Sequence, residues 1–409
     1  MQRWLHFSKY LAENGAELVV YCPSGAAYAV LDESLVDQVP KNIKVLQQPI
    51  FEPNHLLSFF SADKKQSSAG FLNPDPSFIE KRLQFIRANF FIPDARKYWV
   101  KPSVRFLQKY LETMPVDVII TTGPPHSLHL IGLALKKSLK CKWIADFRDP
   151  WMEIDYFHQL PLTSGSIEKH RKLEQEVAET ADGIIVVGKG MKDYFQKFNK
   201  QIKVISNGYE IKTKNLAVDL DKKFSITHVG MMNADRDPQV LWKVLGLLKE
   251  EIPGFGEDLQ IKLIGKVAQE VRRNTEIYNL TESVMFIDYL PHVEVLKHQC
   301  SAQVLLLAVN RVPFAKGIIT GKVFEYLQAG RPILAIAPTD GDLAEIIEQT
   351  NAGCVVDFED AIELKKIITG YYQLYKAKNL YQKSINIGQY HRKNLTLQLQ
   401  DFIEKAIKK

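Results

Sequence analysis

Val118-Ile-Ile-Thr-Thr122, Gly123-Pro-Pro-His126 and, beyond a helical stretch, Trp143-Ile-Ala-Asp-Phe147 spell out a strand, a loop, an amphipathic helix and a second strand. The two apolar runs are short and continuous, as strands buried on both faces of a parallel sheet require. In such a sheet ligand groups gather at the carboxyl ends of the strands. That rule puts the Gly123–His126 loop and the Asp146-Phe-Arg-Asp149 loop on one functional edge.

The same rhythm continues outward, with strands expected at residues 18–21, 183–187 and 204–206. A second series falls at 224–229, 261–264, 284–287, 304–308, 333–337 and 354–356. The fold class is therefore α/β, with two Rossmann-like domains facing a cleft that serves as the default binding site. The polar connector at 207–223 places the domain boundary: an N-terminal domain over 1–206, a C-terminal domain over 207–385, and a terminal helical segment, 386–409, expected to pack back on the first. Residues 63–76 are polar and carry Gly, Ser and Pro, the composition of a surface loop.

Within the second series, Thr320-Gly-Lys-Val-Phe-Glu-Tyr-Leu-Gln-Ala-Gly330 combines a helix start, a lone carboxylate and a helix stop. Thr320 is the expected cap, and the free amides and dipole of a helix start favour phosphate. Glu325 lies about one turn further in, and Gly330 and Pro332 end the helix.

Four scattered cysteines without a Cys-x-x-Cys pair suggest neither a disulfide framework nor a zinc site. No segment has the length of a membrane span and the start lacks a signal-peptide core, so a cytoplasmic protein is expected. The net charge of +6 is modest, but Lys81, Arg82, Arg87, Arg96, Lys97, Lys101, Arg105 and Lys109 face few acids and interleave with Phe85, Phe90, Phe91, Tyr98, Trp99 and Phe106. Residues 81–109 are thus a candidate surface for anionic lipid headgroups or an anionic acceptor, at the inner face of the plasma membrane. A solvated helix with its apolar side in the core explains the same residues. No nucleic-acid recognition module accompanies them. Asp219-Leu-Asp221 and the His126, His129 pair lack further ligands, so no metal site is expected.

Taken together, Trp143-Ile-Ala-Asp-Phe-Arg-Asp-Pro-Trp151, Ile205-Ser-Asn-Gly-Tyr-Glu210, His228-Val-Gly230 and Lys322-Val-Phe-Glu-Tyr-Leu-Gln-Ala-Gly330 resemble a retaining glycosyltransferase of family 4, with the two-domain GT-B architecture. The resemblance implies a nucleotide-diphosphate-sugar co-substrate with no resident cofactor, a glycan or lipid-linked acceptor, and a role in bacterial cell-surface polysaccharide synthesis. It matches Glu325 to the second glutamate of a Glu-x7-Glu pair, which binds the nucleotide ribose. The first should stand at position 317, where this chain has Gly317. Donor contacts are then expected from Gly317, Ile318, Thr320 and Gly321, with Lys316 or Lys322 offsetting diphosphate charge. After the first C-domain strand the family places an arginine and a lysine; here Met231 replaces the arginine, Arg236 approximates the lysine, and Gly230 and Lys266 complete the donor set. On the acceptor side, the resemblance matches His126 loosely to a histidine near the reacting sugar, with a structural histidine as the alternative. Asp146, Arg148 and Asp149 are expected either to orient the acceptor or to form an ion pair within their own loop. Residues 1–14 read as a helix from the first residue, stopped by Gly15, and relatives of this kind place a strand before it, so the first strand of the N-terminal domain is expected upstream of Met1. An ordinary N-terminal helix is the alternative. Two other functions compete: a catalytically silent nucleotide-sugar-binding scaffold, suggested by Gly317 and Met231, and a sugar-nucleotide epimerase.

Overall fold

The computed structural model describes residues 2–28, 33–52, 77–139, 141–154, 157–210 and 218–408. The loop expected at 63–76 lies outside them. The chain forms two compact units, residues 1–206 with 392–409, and residues 207–391. The terminal segment thus divides later than the expected 386: Tyr390 stays with the second unit, accepting from the Tyr209 amide at 3.1 Å and packing on Phe324.

The first unit runs α1 (Gln2–Glu13), β1 (Val19–Ser24), β2 (Lys44–Pro49), α2 (Phe78–Phe90), α3 (Lys97–Thr113), β3 (Val118–Gly123), α4 (Ser127–Ser138), β4 (Lys142–Phe147), α5 (Ser164–Thr180), β5 (Gly183–Val186), α6 (Lys189–Phe195) and β6 (Ile202–Val204). β3, β4, β5 and β6 pair in that order, all parallel, while β1 and β2 form a separate parallel pair. Among the described residues the ladder is therefore broken between β1 and β3. Core side chains nonetheless cover both pieces: Trp99, Ile131 and Leu135 pack with Tyr21 of β1 and Ile119 of β3. On a second cluster, Phe7 and Leu11 of α1 meet Ile144, Ile185 and two leucines, Leu395 and Leu399, from beyond the second unit.

The second unit runs β7 (Phe224–Val229), α7 (Gln239–Glu251), α8 (Phe255–Asp258), β8 (Leu259–Ile264), α9 (Gln269–Ile277), β9 (Val284–Ile287), α10 (His292–Ser301), β10 (Val304–Ala308), α11 (Lys322–Ala329), β11 (Ile333–Ile336), α12 (Asp342–Gln349), β12 (Gly353–Val356) and α13 (Ala361–Lys376); α14 (Arg392–Lys408) returns to the first unit. Its six strands are parallel in the order β12-β11-β10-β7-β8-β9. Every residue of β7 and β10 is buried, the consequence of helices on both faces. The strand order reverses between β7 and β10, and the carboxyl ends of strands at such a point form the natural crevice.

Candidate functional site

In the second unit the crevice is built from the turn after β7. Gly230 adopts φ +104°, a left-handed conformation that suits glycine. A β-carbon there would meet Cε and Nζ of Lys322 at 2.5 and 2.7 Å, so the glycine makes room for the lysine side chain. The turn is tied to β8: the Gly230 amide donates to Ile264 O at 2.7 Å and the Met232 amide to Lys266 O at 3.0 Å. Lys266 itself is exposed beside it. Arg236 reaches back to Met231 O at 2.9 Å.

Lys322 opens α11 and sends its amine to 3.4 Å from His228 Nε2. His228 Nδ1 lies 3.1 Å from Leu306 O, an acceptor only, so Nδ1 carries the hydrogen and Nε2 presents its lone pair to the lysine. Burial pushes the His228 pKa well below its usual range, aided by Lys322 and Arg236, and the ring is neutral. Burial also pushes the Lys322 ammonium down to about 7; Arg236 adds to the fall and Glu325 opposes it.

The helix start differs from the expected cap. Gly321, not Thr320, is the N-cap residue, and the Thr320 hydroxyl accepts weakly from the Lys322 amide at 3.4 Å. The amides of Gly317 and Ile318 are taken by Phe314 O and Ala315 O, which removes these two from the expected donor contacts. Those of Ile319, Thr320 and Gly321 have no protein acceptor among the described residues. A β-carbon at Gly317 would meet the Phe314 ring at 2.2 Å, so Phe314 fills the space a larger side chain would need. Lys316 is exposed and paired with Asp340 at 2.6 Å, so of the two expected lysines Lys322 is the one that reaches the turn. Glu325, 37% exposed, accepts from Gln299 Nε2 at 3.1 Å and lies 3.7 Å from His292 Nε2. Tyr326 secures the next turn of α11, accepting from the Val229 amide at 3.0 Å.

In the first unit, Asp146 is 0% exposed and receives Arg3 at 3.0 Å, Trp4 Nε1 at 2.7 Å and the Thr122 hydroxyl at 2.8 Å. This corrects its candidacy as an acceptor-orienting group: it anchors α1 to the sheet. Arg148 donates to Gly123 O and Pro124 O, so the two expected loops are one construction. Asp149 is exposed. His126 is buried, stacks on Trp151 at 4.8 Å, and has no hydrogen-bond partner on either ring nitrogen among the described residues. Burial, then His129, Arg148 and His170, hold its pKa well below the ordinary range, so it is a neutral ring at pH 7. Asp94 caps the following helix, accepting from the Ser127 amide and hydroxyl, both at 2.8 Å. Behind the second loop, Glu174 accepts from Tyr194 at 2.5 Å and from the Met152 amide at 3.3 Å, and Trp151 Nε1 donates to His170.

Sequence reasoning used His228 only within a family motif, with no role of its own, and passed over His292 and Gln299, and over Arg3 and Trp4 as partners of Asp146. Gln299 had a signal, a polar residue on the buried stripe of α10. Asp221, from the discounted Asp-x-Asp, pairs with Lys262 at 2.7 Å. Among the described residues no cluster of metal-ligating side chains occurs, and no helix is long and apolar enough to cross a membrane.

Solved structures of similar fold include a glycosyltransferase from Rickettsia africae (12% identity, TM-score 0.63, covering 100% of this chain and 94% of that one). A sucrose-phosphate synthase from Thermosynechococcus elongatus follows (14%, 0.60, 98% and 91%). WaaG, a glycosyltransferase involved in lipopolysaccharide biosynthesis, is more distant (13%, 0.54, 99% and 94%). At these identities the likeness establishes the fold, the GT-B arrangement of two Rossmann-like domains. No curated protein matches the chain in sequence. The family model for group 1 glycosyl transferases matches residues 223–373, the strands and helices that carry Gly230, Lys322 and Glu325. Glycosyltransferase Family 4 matches residues 2–213, more than half of the sequence, and the chain belongs to that family.

Proposed function

We propose that the protein transfers a sugar, with retention, from a nucleotide-diphosphate-sugar to a glycan or lipid-linked acceptor in cell-surface polysaccharide assembly. The observation that carries this reading is the convergence, at the β7 and β10 ends, of Glu325, Lys322, Arg236 and the acceptor-free amides of residues 319–321. A carboxylate held by Gln299 suits the vicinal hydroxyls of a ribose, since it accepts two hydrogens at once. The amides and two cations suit the diphosphate, whose charge grows as the sugar departs with oxocarbenium character. These side chains supply the charge stabilisation, so turnover is expected to persist in excess chelator.

On the acceptor side, Arg148 holds the Gly123–Pro124 backbone and thereby the position of His126. A neutral imidazole with both nitrogens unbonded is suited to exchanging hydrogen bonds with a sugar hydroxyl and unsuited to donating a full proton. A lipid-linked acceptor agrees with α2, whose Phe78, Ile79 and Phe90 are 67%, 70% and 62% exposed among Lys81, Arg82 and Arg87. On this reading the enzyme works at the cytoplasmic membrane surface. A lipopolysaccharide role is recorded for WaaG, a relative in fold.

One observation favours a second reading, a silent nucleotide-sugar-binding protein: Phe314 occupies the space beside Gly317, so no carboxylate stands there for the transferred sugar. Thermal stabilisation by a panel of nucleotide sugars, followed by anomer-resolved product analysis, decides between them. Binding with turnover supports the transferase, binding without hydrolysis or transfer the silent form. Glu325→Ala is expected to weaken nucleotide affinity by roughly tenfold or more, the worth of a charge-assisted contact. Unchanged affinity would end the ribose assignment.

A further inference from the structure

We propose that Lys322 is the principal cation for the donor diphosphate and completes its protonation when the ligand arrives, being only partly protonated in the free protein near neutral pH and an ammonium in the complex. This deepens the donor reading above and rests on it. The amine sits in the space left by Gly230, and among the described residues the lone pair of His228, 3.4 Å away, is its one near partner. His228 is fully buried and its Nδ1 hydrogen is committed to Leu306 O, so it cannot supply a counter-charge.

The groups facing the amine come from three elements. From the β7 side stand neutral His228 and cationic Arg236; from α11 itself Glu325; and from α10 His292 and Gln299, which reach Glu325 rather than the lysine. β10 contributes only the Leu306 carbonyl and its neighbours. An empty site thus sets one partly exposed carboxylate against burial and a second cation. A diphosphate reverses that balance: two negative charges beside the amine favour the ammonium. The proton comes from solvent on to the Nζ lone pair, and no bond of the ligand breaks.

The sign follows. The free amine holds its proton less tightly than the liganded one, so binding takes up a proton and affinity falls as pH rises above about 7. Nucleotide-diphosphate-sugars have no phosphate group that titrates near neutrality, so the pH dependence belongs to the protein. Calorimetric titration of the full chain with UDP-glucose, UDP-N-acetylglucosamine, GDP-mannose and dTDP-glucose, in buffers of low and high ionisation enthalpy, measures the uptake directly. The binding donor should bring roughly 0.7 proton at pH 7.5, and its Kd should rise about tenfold or more from pH 6.5 to 8.5. Lys322→Met should abolish both the uptake and the slope, with weaker binding at pH 6.5. Tight binding with no uptake and a flat profile overturns the proposal and leaves the donor site standing. So does an uptake that persists in Lys322→Met, which would assign the proton to another group. If the folded protein binds none of the four, the donor reading itself fails and this one with it. Should the variant not fold or not bind, the wild-type profile alone decides.

Discussion

Asp146 and Glu174 are both buried carboxyls, and their company differs. Asp146 is met by a guanidinium, an indole and a hydroxyl, an ion pair with its remaining lone pairs used. Asp146→Ala removes the counter-charge of buried Arg3, which keeps its bonds to Ile205 O and Ser206 O, and is expected to cost about 3–5 kcal/mol, read from the urea midpoint of the whole chain. Glu174, 1% exposed, takes its bonds from neutral donors among the described residues; burial raises its pKa to about 7, and the bonds from Tyr194 and Met152 together with the charge of Lys197 oppose the rise without cancelling it. Its folded value lies above the unfolded one, near 4.5. The folded state therefore binds the extra proton between these values, and the stability so gained is complete below about 4.5 and lost as pH rises through 7. Glu174→Gln keeps an acceptor for the Met152 amide and removes the titration. It should be more stable than the wild type at pH 8 and show a flatter stability profile from pH 5 to 8 in urea unfolding. Neither role was legible in the sequence, because the partners lie far away along the chain: Trp4 stands 142 residues before Asp146 and Tyr194 stands 20 after Glu174. That Lys322 and Glu325 open one short helix was legible, since helix start, carboxylate and glycine stop fall within one short segment. Their partners Gln299 and His228 were not, being 26 and 94 residues distant.

At the level of elements, the apolar runs located β1, β3 and β4 and all six strands of the second unit to within a few residues, because strands buried on both faces leave an unbroken apolar signature. Two cases fell short. β2 was overlooked: it has no buried residue, Val45 is exposed beside Lys44, and Lys44, Gln47 and Gln48 dilute its pattern. β6 ends at Val204, where a strand at 204–206 was expected; Ile205 is instead buried in the α1 cluster, so its apolar character serves the core. Helical periodicity also cannot say which face turns inward. In α3 the apolar face does, with Trp99 buried. α2 is inverted: no residue is buried, the least exposed are Gln84, Ala88 and Asn89, and the outward surface carries Phe78, Ile79, Leu83, Phe85, Ile86 and Phe90. Its acid, Glu80, is engaged with the Ser77 amide in a capping box, so Lys81, Arg82 and Arg87 set the sign of the face. The protein should co-float with vesicles containing phosphatidylglycerol and not with pure phosphatidylcholine. Replacing Ile79 and Phe90 by serine should release it at low salt, whereas screening by high salt alone should weaken binding only in part. Equal recovery with both vesicle types would exclude charge as a determinant.

The whole molecule divides into one continuous and one discontinuous unit. Residues 207–391 contain a complete six-stranded sheet and a large core in which Leu305, Leu307, Phe324 and Ile333 are buried together. Expressed alone, this segment should unfold in a single cooperative transition and keep the nucleotide affinity of the full chain within a few-fold. A non-cooperative melt would show that it depends on the first unit for its integrity. The first unit has the opposite character, because Leu395 and Leu399 of α14 are part of the cluster that seats Phe7 and Leu11. On the ribosome this topology imposes an order of events. Every residue of the second unit is translated before α14 exists, so that unit can be finished while the first still waits for its closing helix. For that interval α1 has its ion pair but not its full apolar bed, and the growing chain carries a nearly built domain that a holdase or a premature stop could catch half-made.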